Sequence, residues 1–293
     1  MASMPLAAAV AQQSPPRGAR GADLKGPVPL AQLGKVKISR VIFGGNQIAD
    51  YNHCTRLPYV NQLVSAYYTP EKIASTLQLS EKCGVNTILT NPTFFPKLQN
   101  YWKDSNGKIQ LISDCGYPSN LHDAIQKSID FGAVACYIHG GVADRLARER
   151  KFDEMGKALD LMRKNGVPAG IGAHQLRTVR GAVEAGLRPD YWMLTFHPMK
   201  WGESGELHPG FDEIQCPNPE EVAAFMKERK EPWIAFKTLA VGVVPPAEAF
   251  KFAFDNGADF ICVGMFEWQL VNNVNLALDA IHGAAKRPRP WRA

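Results

Sequence analysis

The chain has 293 residues, 45% of them hydrophobic and 21% charged, and carries a formal net charge of +5. That length suits one large α/β domain or two small ones, and the modest charge, interspersed with acids and free of Lys/Arg blocks, argues against a nucleic-acid partner. No run of about 18 apolar residues occurs, so no membrane span is expected.

Residues 1–28 stand apart in composition. The stretch Pro5-Leu6-Ala7-Ala8-Ala9-Val10-Ala11-Gln12 resembles the end of a signal-peptide apolar region with an Ala-x-Ala cleavage site, although the usual basic start is missing. It reads equally as the tail of an export signal, which would place the protein in the periplasm, or as a disordered leader on a cytoplasmic protein. In both readings it lies outside the fold, and 29–293 form a single domain. Six cysteines, Cys54, Cys83, Cys115, Cys136, Cys216 and Cys262, lack CxxC spacing and read as buried small hydrophobes, not as a disulfide framework or zinc knuckle.

Alternation of apolar and polar residues over 33–40 predicts a small hairpin, placed to plug one end of the fold, before a first main strand at 41–46. A helix over 70–83 stops at Gly84, and a strand from Asn86 runs through Thr87, Ile88 and Leu89 to Asn91. The third strand, 109–113, delivers Asp114. A helix follows over 120–131, with Asn120 as a suitable N-cap and Gly132 beyond its end.

The fourth strand, 134–139, is a continuous apolar run ending at His139, after which Gly140-Gly141 lets the backbone turn out of the sheet. A helix over 152–165 sets Met155, Leu159 and Met162 on one buried stripe. Strand five, 168–173, ends in His174; a helix covers 176–185; strand six, 191–196, ends in His197. The irregular segment 198–217, with Lys200, Glu203, His208 and Cys216, has the length and composition of a lid.

A helix over 219–230 leads to strand seven, 233–236, which gives Lys237. A helix over 246–256, strand eight over 260–263, the segment Gly264-Met265-Phe266-Glu267 and a last helix over 273–281 complete the chain. Eight strands alternating with helices at this spacing predict a (β/α)8 TIM barrel with an N-terminal β-hairpin. A doubly wound open sheet is disfavoured, because Gly44-Gly45-Asn46 does not complete the glycine-rich phosphate fingerprint.

Active sites in such barrels form at the C-terminal ends of the strands, which here offer Asn46, Asn91, Asp114, His139, His174, His197, Lys237 and Glu267. A rim this rich in ionisable groups points to chemistry, because desolvating them together gains a purely structural barrel nothing. His139, His174 and His197 on three neighbouring strands are candidate ligands for a divalent metal ion, with Asp114 as fourth ligand or general base. Without a metal, Lys237 and His139 can act as an acid/base pair, or Lys237 as a Schiff-base nucleophile. A structural salt bridge from Lys237 to Glu267 or Asp114 is the plainer alternative.

Residues 34–45, the His139 strand, Thr195-Phe196-His197-Pro198 and residues 233–242 together resemble the aldo-keto reductase superfamily, over roughly the whole chain from Leu33 onward. The resemblance implies a barrel with His139 as the catalytic histidine. The family's acid and tyrosine, however, fall on Leu89 and Phe94, and its lysine falls on Asp114 or Cys115. Only His139 of the four remains, which speaks against ordinary carbonyl reduction. For the cofactor, the resemblance places Phe236 where an aromatic stacks on nicotinamide and the segment from Gly264 to Asn273 where adenine and phosphates are held, without the arginine for a 2′-phosphate; NAD(P) is thus the weaker cofactor expectation beside a metal.

Three functions follow as expectations. The first is a lyase, isomerase or hydrolase using acid/base or metal-assisted chemistry on a small hydroxylated or sugar-derived molecule, with His139, Lys237, Asp114 and Glu267 as its catalytic groups. The second is an NAD(P)-dependent oxidoreductase with a substituted proton donor. The third is a non-catalytic barrel that binds a solute.

Overall fold

The computed structural model describes residues 23–53, 57–116, 120–198 and 216–293. Two short strands, β1 (Leu30–Leu33) and β2 (Val36–Ser39), pair antiparallel across a turn at Gly34. Eight parallel strands then close a barrel: β3 (Val41–Gly44), β4 (Thr87–Thr90), β5 (Gln110–Cys115), β6 (Ala135–Ile138), β7 (Ala169–Ala173), β8 (Tyr191–Thr195), β9 (Trp233–Phe236) and β10 (Phe260–Val263). β10 pairs with both β3 and β9, which closes the ring. The expected (β/α)8 TIM barrel with its N-terminal hairpin is the fold observed.

The outer helices are α1 (Pro58–Tyr67), α2 (Pro70–Lys82), α3 (Phe95–Ser105), α4 (Leu121–Phe131), α5 (Gly140–Arg148), α6 (Phe152–Lys164), α7 (Leu176–Glu184), α8 (Pro219–Lys227), α9 (Pro246–Asp255) and α10 (Leu270–Gly283). Asn120 caps α4 as expected, its Oδ1 accepting from the Asp123 N–H at 3.0 Å. α1, α3 and α5 were not foreseen from the sequence. The correction at α5 matters most, because Gly140 and Gly141 open a helix immediately after β6 instead of a loop.

Alternation along the strands sorts the core into two parts. Ile42, Leu89, Ile112, Ala135, Tyr137, Tyr191, Met193, Ile234, Phe260 and Cys262 fill the barrel, while Phe43, Ile88, Leu111, Ile138, Ile171 and Leu194 face the helices. β7 contributes only glycine to the interior. A Cβ at Gly170 would lie 2.5 Å from the Tyr191 ring, and one at Gly172 would lie 2.8 Å from the Tyr137 ring. Two tyrosine rings therefore occupy the space that β7 leaves open.

Leu33 and Ile38 of the hairpin join this inner cluster. The hairpin also bonds to the N-terminal ends of the barrel strands: the Ser39 N–H donates to Asn86 Oδ1 at 2.8 Å and Gln110 Nε2 to the Lys37 carbonyl at 2.9 Å. It plugs that end, as the sequence suggested, and leaves the C-terminal mouth for function.

The leader boundary needs correction. Val28 is buried, with its N–H on the Cys83 carbonyl at 3.1 Å, and the Lys25 N–H donates to Asn275 Oδ1 at 2.8 Å, so 23–28 pack on the fold instead of lying outside it. The signal-like stretch at 5–12 lies outside the described residues, as do Cys54 and most of the lid-like segment with Lys200, Glu203 and His208. The other five cysteines are buried and free. Among the described residues no helix is long and apolar enough to cross a membrane.

A charged clasp fastens the N-terminal side of β9 and β10. Asp259, fully buried, takes Arg289 Nη1 at 2.6 Å and the Trp233 N–H at 3.0 Å on one oxygen, and Arg287 Nη2 at 3.0 Å and the Arg292 N–H at 2.8 Å on the other. Trp291 lies between two guanidiniums, Arg287 at 3.5 Å and Arg40 at 3.9 Å from its ring centre. Burial pulls the Arg287 pKa down to about 10, against the opposing pull of Asp259.

Candidate active site

The strand ends bring His139, His174, Phe236, Lys237 and Asp114 to the open mouth. His139 directly follows β6 and is the N-cap of α5: its Nδ1 accepts from the Gly141 N–H at 3.2 Å. An imidazole that accepts at Nδ1 carries its proton on Nε2 when neutral. Burial, with the neighbouring His174 and Lys237 acting in the same direction, lowers the His139 pKa to about 4. Near pH 7 His139 is therefore a neutral donor at Nε2.

The contact of His174 with a carboxylate, which accepts and does not donate, assigns it the opposite tautomer. Its Nδ1 lies 2.8 Å from Asp144 Oδ2, and the side chains of the pair are 10% and 12% exposed. The carboxylate also accepts the His174 backbone N–H at 3.2 Å and the Thr178 hydroxyl at 2.6 Å. With the Nδ1 proton held by Asp144, Nε2 presents a lone pair, the arrangement of a general base oriented by an acid. The two imidazoles, one donor and one acceptor, sit with ring centres 6.2 Å apart.

Gly140 makes this approach feasible. A Cβ there would lie 2.8 Å from Cε1 of His174, so no other residue lets α5 start beneath that ring. Phe236 packs on the other side of His174 with ring centres 5.5 Å apart. Lys237 follows in a left-handed backbone conformation, φ +56°, and its Nζ meets His53 Nε2 at 3.0 Å. A lysine held at positive φ is strained, and such strain gathers at functional sites.

Asp114 forms the floor. It shares the inward face of β5 with Ile112 and lies opposite Tyr137, one inward position below His139. It is 6% exposed, and among the described residues its buried Oδ1 has no hydrogen-bond partner. Burial raises its pKa from 3.8 to about 7. An unfolded chain releases this proton near pH 4 and the folded chain near pH 7, so the native state holds one extra proton between those values. Stability accordingly falls as pH rises through that window, by an amount on the order of 4 kcal/mol, and levels off above it. Asp114→Asn is expected to remove this decline from unfolding free energies measured across pH, whereas an unchanged slope contradicts the assignment.

Several sequence-expected site residues lie elsewhere. Glu267 forms an ion pair with Lys72 of α2. His197 is fully buried, and its Nε2 accepts the Cys216 N–H at 3.1 Å, fastening the chain just before α8. The expected metal triad of His139, His174 and His197 is thus not assembled: Asp144 takes one ring and Cys216 another. Among the described residues no group of three or more His, Cys, Asp or Glu side chains is placed to hold a metal ion. The described residues do not form a metal site, and no step is routed through one.

The cofactor positions are similarly placed. Gly264 is exposed at the end of β10, but the Phe266 N–H beyond it is taken by Gln269 Oε1 at 2.9 Å. Asn273 is buried in α10. Asn91 caps the short turn after β4, its Oδ1 accepting from the Thr93 N–H at 2.9 Å, and Asn46 is exposed. Leu89 and Phe94 are both buried in the two parts of the core.

Two contributors were missed from the sequence. Asp144 was hidden by reading Gly140-Gly141 as a turn; a helix starting there puts it one turn along, facing strand five. His53 lies in the loop after the first barrel strand, a position that carries site residues in such barrels but has no motif to mark it.

No protein-family model matches the chain, and a search of curated proteins gives no match. Solved structures share the architecture. A proposed aldo-keto reductase of Pseudomonas aeruginosa superposes with a TM-score of 0.60 at 17% identity, over 88% of this chain and 99% of that one. A truncated 3-deoxy-D-arabino-heptulosonate 7-phosphate synthase of Thermotoga maritima gives 0.52 at 12% identity, over 88% and 93%. An aldo-keto reductase from a Medee basin deep-sea metagenome library gives 0.50 at 13% identity, over 87% and 94%. At these identities the likeness is one of fold.

Proposed function

We propose that this barrel is an enzyme of proton transfer, an isomerase or lyase acting on a small hydroxylated carbonyl compound of the sugar class. The observation that carries the reading is the pair of imidazoles with opposite tautomers, His139 held as a donor by Gly141 and His174 held as a base by Asp144. Such a pair suits a reaction in which one group removes a proton while another stabilises the charge that develops.

In the proposed reaction His174 Nε2 takes a proton from the carbon beside the carbonyl. The electron pair of the broken C–H bond moves into an enediolate, whose oxygen is stabilised by the His139 Nε2–H and by the positive charge of Lys237. The hydroxyl proton passes from the second oxygen to the former carbonyl oxygen, and return of the first proton to the neighbouring carbon, as the electrons fold back, completes an isomerisation. In a lyase, loss of the proton from the hydroxyl β to the carbonyl releases a carbonyl fragment by carbon–carbon cleavage and leaves the same enediolate, which is then protonated on carbon. Asp114, protonated below about pH 7, keeps the floor neutral while substrate is bound. Phe236 offers an apolar face to the carbon chain.

A screen of aldoses, ketoses and 2-oxo acids in D2O tests the reading by nuclear magnetic resonance. Protein-dependent loss of the C–H signal beside a carbonyl, with no nicotinamide added, is the expected result. Turnover that requires NAD(P)H and leaves that signal intact would instead favour the oxidoreductase reading.

A further inference from the structure

A second feature lies outside the barrel mouth. A cavity of about 460 Å³ opens between α5, the turn into α6, and α7, and Arg148, Arg150 and Arg177 all line it. Neighbouring arginines on these helices have carboxylate partners: Arg145 reaches Glu149 at 3.5 Å, Arg163 reaches Asp190 at 3.2 Å and Arg180 reaches Glu221 at 2.6 Å. Among the described residues none of the three cavity arginines has such a partner. All three are exposed, and their charges give the hollow a positive potential that suits an anion.

The walls have further character. Phe152 forms an apolar floor, its ring so close to α7 that a Cβ at Gly181 would lie 2.8 Å from it. Arg150, at the turn into α6, takes the left-handed conformation at φ +58°, which glycine adopts more easily. Thr178 and Asp144 close the inner end, and the Asp144 charge is committed to Thr178 and His174. Glu184 is the remaining acid on the lining, and it opposes an anion there.

We propose that this cleft is a binding site for a small phosphate monoester. The arginines hold the dianion and the Phe152 floor lies under its organic part. Guanidinium forks match pairs of phosphate oxygens, and three of them satisfy a dianion better than a single carboxylate would. Asp144 on the lining is also the carboxylate that orients His174, so the cleft adjoins the candidate active site. The site stands whether or not His174 acts as a base.

Calorimetry with inorganic phosphate, in chloride buffer at low ionic strength where the attraction is least screened, tests the proposal. Wild-type protein is expected to bind one phosphate saturably, and Arg148→Gln and Arg177→Gln each to weaken binding at least about tenfold. Arg150→Gly should weaken it while leaving thermal stability undiminished, which separates binding from folding. Glu184→Gln should tighten it, and Lys237→Gln at the barrel mouth should leave it unchanged. Absence of saturable binding at millimolar phosphate would overturn the proposal, as would binding that survives the Arg148→Gln/Arg177→Gln double variant and disappears with Lys237→Gln.

Discussion

Replacing Asp144 by asparagine is expected to slow proton exchange at the substrate carbon by about 10²–10⁴-fold, the range over which a positioned base usually contributes. The carboxylate has three donors to satisfy: the Thr178 hydroxyl, the His174 backbone N–H and the His174 ring N–H. Asparagine keeps one oxygen. If that oxygen stays with Thr178 and the backbone, its amide N–H points at His174 Nδ1 and forces the ring proton to Nε2, the nitrogen that must be empty to act as base. The loss should appear in kcat with KM little changed, because the substrate does not touch Asp144. A variant that keeps wild-type kcat would show that tautomer control at His174 is not part of the chemistry.

Replacing Asp259 by alanine should lower the free energy of unfolding by about 3–5 kcal/mol. Asp259 is enclosed, and its partners Arg287 and Arg289 have side chains 2% and 0% exposed, so removal of the carboxylate leaves two guanidiniums without a counter-charge inside the protein. The Trp233 and Arg292 N–H groups lose their acceptor as well. For a domain of this size the change corresponds to a fall in Tm of ~10 °C. Chemical unfolding measures it directly, and a loss below about 1 kcal/mol would mean that the carbonyls around Arg289 suffice to hold the clasp.

The barrel was readable because parallel strands covered on both faces become short apolar runs, and glycines after the helices mark where each one ends. The site was readable only as far as strand ends go. His139, His174 and Asp114 are where alternation along β6, β7 and β5 places them, whereas Lys237 follows the inward Phe236 and takes a left-handed backbone that alternation along β9 does not foresee; the rule gives the position of a side chain and not its partner. Glu267 is paired with Lys72 of α2, a residue distant in sequence. His197 is likewise turned to a backbone N–H across the chain.

The Gly140-Gly141 pair misled for a physical reason. Two glycines weaken a helix and ordinarily announce a turn. Here Gly140 is required by the ring of His174, which occupies the volume of a side chain, so the glycine records close packing between two strand ends instead of a change of direction. That contact is long-range and leaves no local pattern, and with it Asp144 stayed out of view. The clasp at Asp259 was hidden similarly, since Arg287, Arg289 and Trp291 follow the last helix in a stretch with no periodicity of its own.

The measurement that bears most directly on the reading is the deuterium content beside the carbonyl of the substrate after incubation in D2O without nicotinamide, compared between wild-type protein and His174→Gln. The account predicts that wild-type protein introduces deuterium there and that His174→Gln reduces the rate to the level of buffer or close to it. Equal incorporation by the two proteins would contradict it.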